Sequence, residues 1–440
     1  MFTKATVPSF REGSCQTTVS DDPAPASIEH PVVCLFRASN NRIEGGEAAM
    51  KMASDLVRRM PPYLFSDFER KKVELAKKGV DVIDLGIGAP DLPPPSFLIE
   101  TLKRELDDPR NYTYSPYAGC REYREAVADF YERQYGVKLD PDTEVLALIG
   151  SKEGIVHLLQ ALIDPGDAVL VPNPGYPVYR TAIHLARGTP IDLPLDAARD
   201  YAPQFSAITP STYDRVNIML LNYPSNPTAS LATIDVFIEA VMLAKKHRFL
   251  IAHDSAYSLL TFGDAFAPSV LQVDGAKEVA IEFGSLSKSY NMAGCRIGYI
   301  VGNKEVIRAL SILKSNIDTC QFLAVQKAAA VALRSGDEAA KENSRIYEER
   351  MKAMTVALWQ IGVPVQPPRA TFFLWVPTAV GYSSAQFAAR LLDEAGVIVT
   401  PGTAFGSAGE GYVRISLAAP KERLLEAVRR WKAIEWEGRP

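Results

Sequence analysis

From Asp55 onward, apolar and polar positions follow two periods that take turns along the chain, beginning with a charge-rich helical segment, SDFERKKVELAKKG, that Gly79 stops. Short apolar runs bounded by turn residues predict strands, and apolar residues three and four apart predict helices. PSFLIETLKRELD, starting at Pro95, reads as a helix, and a long amphipathic helix ends near Tyr135. A strand over 144–149 runs into Gly150, a helix starts at Ser151 and stops at Asp164-Pro165-Gly166, and a strand follows over 168–172. VNIMLLNYP (216–224) is a further strand, Ile234 to His247 a helix, and FLIAHDSAYSLL (249–260) another strand. Two extended runs follow, one from Ile281 ending in FGSLSKSY and one at RIGYIV. Helix-forming sequence then fills most of 304–360, which the pattern predicts as one long helix. The remainder, with VTPGTAFG, GYVRISLA and a terminal helix, reads as a compact α+β unit.

Strands separated by helices imply an α/β fold with a mostly parallel sheet. A chain of 440 residues is too long for one simple core. The expected division is a large α/β/α domain over 96–313 and a smaller α+β domain over 314–440. An N-terminal arm over 53–95 joins part of the smaller domain. Residues 1–52 stand apart, polar, rich in Ser, Thr and Pro and without period. They are expected to be a disordered or non-native extension, with translation beginning at Met50 or Met52. They carry neither the apolar core of a secretory signal nor the composition of a transit peptide.

Composition narrows the function. With 47% hydrophobic residues, 23% charged residues and a net charge of -4, nothing favours nucleic acid or an anionic membrane as partner. The five cysteines are scattered and lack CxxC spacing, as expected of free thiols in a reducing cytoplasm. No HxxxH or HxH pair occurs among the five histidines, and no metal site is expected.

The chemistry concentrates around Lys288. This lysine lies among Ser285, Ser287 and Ser289 at a strand end, eight residues before Arg296. Such an amine suits a covalent link to an aldehyde, with hydroxyls and a guanidinium gripping a phosphate nearby. The same stretch also suits a surface lysine in a serine-rich loop. Other positions are equally two-sided when taken singly. The helix starting Ser151-Lys152 offers free N–H groups to an anion, although neither GxxxxGK[ST] nor GxGxxG is present. Tyr114, between Tyr112 and Tyr117, could bind a phosphate or pack, and Tyr176 could cover a flat ring. Gly88 permits close backbone approach or simply turns. Asn226 lies in SNPT at the carboxyl end of a strand, where ligands sit in open α/β sheets. Asp254 ends another apolar strand and needs a cation or donor if buried, or caps a helix, with Tyr257 three residues on. Arg414 alternates with Val413 and Ile415, so it points away from the packed face to clamp a carboxylate or meet solvent.

Together these suit a single coenzyme, and the motifs SNPT, HDSAY and SLSKSYNMAGCRIGY complete the picture. From about Arg58 to about Trp436 the chain resembles the fold-type I, class I/II pyridoxal 5'-phosphate aminotransferases. Within them, MPPYLFSDFERKK, DVIDLGIGAPD and VTPGTAFGSAGEGYVRISL are most similar to bacterial LL-diaminopimelate aminotransferases. Ala229 stands where a glycine is usual after NPT, and Cys295 where a tryptophan is usual before RIG. The resemblance implies that Lys288 carries the coenzyme as an imine and moves the substrate proton. Asp254 would hold the ring nitrogen protonated, and Asn226 and Tyr257 would bond the ring oxygen. Ser151, Lys152, Ser285, Ser287 and Arg296 would hold the phosphate, Tyr114 would reach it from a partner subunit, and Tyr176 would stack on the ring. Arg414 would take the substrate α-carboxylate, with Tyr63, Gly88, Lys152 and Asn316 as further substrate contacts. The implied enzyme is a cytoplasmic homodimer with shared sites, acting on amino and 2-oxo acids. The expected reaction is amino transfer from LL-diaminopimelate to 2-oxoglutarate. The alternatives are an alanine or other amino-acid aminotransferase, a β-lyase on the same fold, or a regulator with an added DNA-binding domain, for which the first 50 residues are too short and acidic.

Overall fold

Five strands running the same way through the middle of one sheet set up everything that follows. The computed structural model describes Met50, residues 52–60 and residues 64–436. The expected disorder of the N-terminal extension, and the position of Tyr63, lie outside the described residues. The strands are β1 (Ile83–Asp84), β2 (Val145–Leu148), β3 (Ala168–Asn173), β4 (Thr189–Asp196), β5 (Ala202–Pro203), β6 (Val216–Asn222) and β7 (Leu250–Asp254). They continue with β8 (Ala280–Ser285), β9 (Gly298–Gly302), β10 (Phe373–Pro377), β11 (Val397–Ile398), β12 (Thr400–Pro401) and β13 (Tyr412–Ser416).

The large sheet has the order β2-β9-β8-β7-β6-β3-β4-β5. Strands β8, β7, β6, β3 and β4 are parallel, and β9 against β8, β2 against β9 and β5 against β4 are antiparallel. Helices cover both faces. One apolar layer holds Ile155, Leu158, Ile183 and Leu310, the other Val127, Phe130, Phe237 and Ala329. Burial on both faces explains why the central strands read as continuous apolar runs. This is the expected α/β fold with a mostly parallel sheet.

A three-stranded antiparallel sheet, β10-β13-β12, and a parallel pair, β1-β11, share a separate core. There Phe373, Val413 and Ile415 pack with Tyr347, Met351, Phe387 and Trp431. The expectation of one helix over 304–360 is corrected: three helices span Lys304–Ser315, Leu323–Ser335 and Asp337–Gln360. The first break is a turn in which Asp318 Oδ1 accepts from the Cys320 amide at 2.8 Å, with Cys320 at φ +65°. The second falls at Gly336. Among the described residues, Cys120, Cys295 and Cys320 are free thiols, and no helix is long and apolar enough to cross a membrane.

Candidate active site

Because β6, β7 and β8 are parallel, their carboxyl ends deliver Asn222, Asp254 and Ser285 to one edge of the sheet. A cavity of about 320 Å³ lies there, lined by these three residues and the loops beyond them. That volume suits a small ligand, and its place beyond the strand ends follows the rule for open α/β sheets.

Asp254 is buried at the floor. Tyr179 donates its hydroxyl to Oδ2 at 2.8 Å, and the Ala256 amide approaches the same carboxylate. Oδ1 is buried and completes no hydrogen bond among the described residues. Burial pushes the carboxyl above its ordinary value, opposed chiefly by the Tyr179 hydroxyl and the charge of His253. Asn222 ties the floor together. Its Nδ2 donates to Asp254 O at 2.8 Å, and its Oδ1 accepts from Asn226 N at 2.9 Å. The side-chain Oδ1 of Asn226 accepts from Arg414 at 2.8 Å, which fixes the amide so that Nδ2 remains as donor. Tyr257 lines the same wall, its ring edge-on to Phe372 and Phe373.

Lys288 sits on a single helical turn, Leu286–Ser289, capped by Ser285, whose Oγ accepts from Ser287 N at 3.2 Å. Asn343 Nδ2 donates to the carbonyls of Lys288 and Ser289, locking the turn from behind. The amine donates to Gly88 O at 2.7 Å. Burial, then the charges of Arg414 and Arg296, lower it to about 8. Gly88 has a steric reason: a Cβ there would lie 2.7 Å from Phe373 Cζ.

The other end of the cavity collects positive charge. The helix Ser151–Leu162 starts after Gly150 at φ +89°, where a Cβ would meet the Arg296 guanidinium at 2.5 Å. Arg296 lies across that helix start, donating to Ala293 O at 3.0 Å and Ile149 O at 3.4 Å. Gln321 anchors both sides, its Nε2 donating to Leu148 O and Arg296 O. Ser151, Lys152, Ser285 and Ser287 line this end, a natural anion seat of N–H groups, hydroxyls and a guanidinium. Tyr176 lines the cavity edge-on to Tyr179 at 5.6 Å.

Of the two surroundings that alternation leaves open for Arg414, burial removes solvent. Alternation does turn it away from Val413 and Ile415, but it faces a closed cleft and is only 2% exposed. Its guanidinium bonds Asn226 Oδ1 and Gly86 O and lies 4.3 Å from the Phe373 ring centre and 4.9 Å from that of Phe405. Gly86, Asn226 and the Phe405 ring close over a strand face that periodicity alone leaves to solvent. Asn316 is not brought to the cavity of its own chain. It ends the helix Lys304–Ser315 and spends its Nδ2 on Ile312 O at 2.8 Å. Tyr114 is 88% exposed and outside the cavity of its own chain.

The structure adds Asn222, Phe373 and Tyr179 to the site. The strand-end argument that singled out Asp254 applies equally to Asn222, and Tyr179, in the first turn of the helix Val178–Leu185, lies edge-on to Tyr176 in the loop before it. Glu153, His157 and Asp318 converge within ligating distance of one another near the same helix start. There the buried ammonium of Lys314 is already paired with Asp318 and lies 3.7 Å from Glu153, so the local cation is the protein's own.

The profile of the family described as aminotransferase class I and II matches residues 80–430. The LL-diaminopimelate aminotransferase of Aquifex aeolicus is 48% identical over 382 residues, 87% of this chain and 99% of the relative. That of Moorella thermoacetica is 46% identical over 378 residues, 86% and 97% of the two chains. The solved structure of substrate-bound BacF from Bacillus subtilis has a TM-score of 0.85 at 37% identity, covering 87% of this chain and 98% of the other. A matching profile over most of the chain, relatives aligned almost end to end, and a lysine, an aspartate and an arginine gathered at one sheet edge leave a single family: the chain belongs to the class I and II aminotransferases.

Proposed function

We propose that the enzyme moves an amino group from LL-2,6-diaminopimelate to 2-oxoglutarate, giving tetrahydrodipicolinate and glutamate, a step of lysine biosynthesis. The observation that carries the choice of donor is the near-complete alignment with relatives named for that compound. The coenzyme of the family is pyridoxal 5'-phosphate, and the cavity residues fit it. The buried Asp254 Oδ1 suits a ring N–H, the helix start with Arg296 suits a phosphate, and Lys288 suits the aldehyde. When bound, the coenzyme supplies an electron sink for the charge left on the substrate Cα after proton loss.

The roles of the chain's own groups follow from their placement. Lys288 would hold the coenzyme at its aldehyde carbon and would accept and return the proton of the substrate Cα. An amine lowered to about 8 is partly neutral near pH 7 and can accept that proton. Asp254 would keep the ring nitrogen protonated through Oδ1. Asn226 and Tyr257 would bond the ring oxygen, Tyr176 would cover the ring, and Ser151, Lys152, Ser285, Ser287 and Arg296 would hold the phosphate. Arg414 grips the α-carboxylate by its planar fork, beside Gly88, with Lys152 and Tyr63 as further contacts. Tyr114, exposed in a loop that also exposes Tyr112 and Tyr117, would reach the phosphate of a second copy, making the enzyme a homodimer with shared sites. The free thiols of Cys120, Cys295 and Cys320 support a reducing, cytoplasmic setting.

The test is a donor panel with 2-oxoglutarate as acceptor. LL-diaminopimelate should give the highest kcat/KM. A higher value with alanine or aspartate rejects the assignment of donor and leaves the family intact.

A further inference from the structure

We propose that Tyr179 is the positioning residue of Asp254: its hydroxyl pins one carboxylate oxygen so that the other is presented to the ring N–H of the coenzyme. This rests on the coenzyme reading above and adds to it a residue whose side chain has no place in the cavity wall.

Tyr179 lies in the first turn of the helix Val178–Leu185 and is fully buried. A carboxylate only accepts, so the 2.8 Å bond to Asp254 Oδ2 makes the phenol its donor. The ring cannot swing away: it packs in the apolar layer with Phe283 and Ala252 and edge-on to Tyr176. Asn222 holds the backbone of Asp254 from the adjacent strand, and the Ala256 amide approaches the carboxylate. The residue is therefore held at its backbone and at its carboxylate, and Oδ1 is the oxygen left for a ligand.

Charge makes the same contact matter twice. The groups facing Asp254 are Tyr179 and Tyr176 from the helix side, Tyr257 beyond the strand end, and the cations Lys288, Arg296 and Arg414 across the cavity. His253, its neighbour in β7, bonds Glu282 at 2.8 Å and Tyr223 O at 3.0 Å. Burial raises the Asp254 carboxyl, and the Tyr179 bond is the largest influence opposing it. A raised carboxyl loses its charge as pH falls through the raised value, so losing the phenol moves that loss to higher pH.

Tyr179→Phe deletes only the hydroxyl. In the full-length holoenzyme, kcat should fall about ten- to a hundredfold with KM changed less than about twofold. The acid limb of kcat/KM should rise by about one pH unit. In the apoprotein, the carbon-13 resonance of the Asp254 carboxyl, assigned with Asp254→Asn, should titrate higher by the same amount. Site-specific 3-fluorotyrosine at position 179, a stronger donor of nearly the same shape, should move both midpoints down. An apoprotein midpoint unmoved by either replacement overturns the proposal, whatever happens to activity. A midpoint that moves in a protein whose parent binds no pyridoxal phosphate supports the contact and overturns the coenzyme reading instead.

Discussion

Removing the guanidinium of Arg414 should weaken every amino and oxo acid alike. The residue is buried, its fork supported by Asn226 Oδ1, Gly86 O and the rings of Phe373 and Phe405. A substrate carboxylate adds two charge-assisted hydrogen bonds in a site screened from water. At about 1.5–3 kcal/mol each, and less than additive, they contribute about 3–5 kcal/mol. At about 1.36 kcal/mol per decade, Arg414→Ala should lower kcat/KM by about 10²- to 10⁴-fold. Arg414→Lys keeps the charge but loses the fork, and should recover about tenfold of that. A steady-state assay in both directions reads the loss for the amino donor and for the oxo acceptor. Because both present an α-carboxylate to one site, the two losses should agree within about threefold. There is an internal control, since the Arg414 charge also lowers the Lys288 amine, so the Ala variant should return that amine toward its ordinary value. Losses below about tenfold, or a loss confined to one substrate, refute the assignment.

Four other outcomes can be measured. Acetylation of Lys288 in the apoprotein, followed by mass spectrometry, should rise with pH through a midpoint at about 8 rather than 10.5. The sign for stability is the reverse of a paired lysine: between those values the unfolded chain binds a proton the folded one does not, so apoprotein stability relative to Lys288→Met should rise with pH. Gly88→Ala places a methyl 2.7 Å from Phe373 Cζ, and should cost about 1–3 kcal/mol in a thermal melt while displacing the loop that accepts from Lys288. Asp91→Asn breaks the two-bond pair with Arg350, at 2.7 and 2.9 Å, that ties this loop to the helix Asp337–Gln360. With Asp91 22% and Arg350 8% exposed, urea unfolding should show a loss of about 2–4 kcal/mol, below the range for a fully buried pair.

What the chain order settled by itself was local. The helix Ile234–His247 has the ends its pattern predicts, because Thr233 starts it and Arg248, at φ +62°, stops it. The strand ends that carry Asp254 and Ser285 were legible for the same reason, since an apolar run closed by a polar residue marks both the strand and its tip. The 304–360 stretch was not, because its first break depends on a side-chain cap and one left-handed residue rather than on composition. Alternation gave Arg414 a face and left open what lies on that face; Gly86 and Asn226, from distant stretches of the chain, decided that. The partner of Asp254, 75 residues away in sequence, belongs to the same class. Periodicity reports what a side chain's near neighbours require. Burial, pairing and shifted acidity depend on atoms brought together from distant stretches, and only folding makes them neighbours.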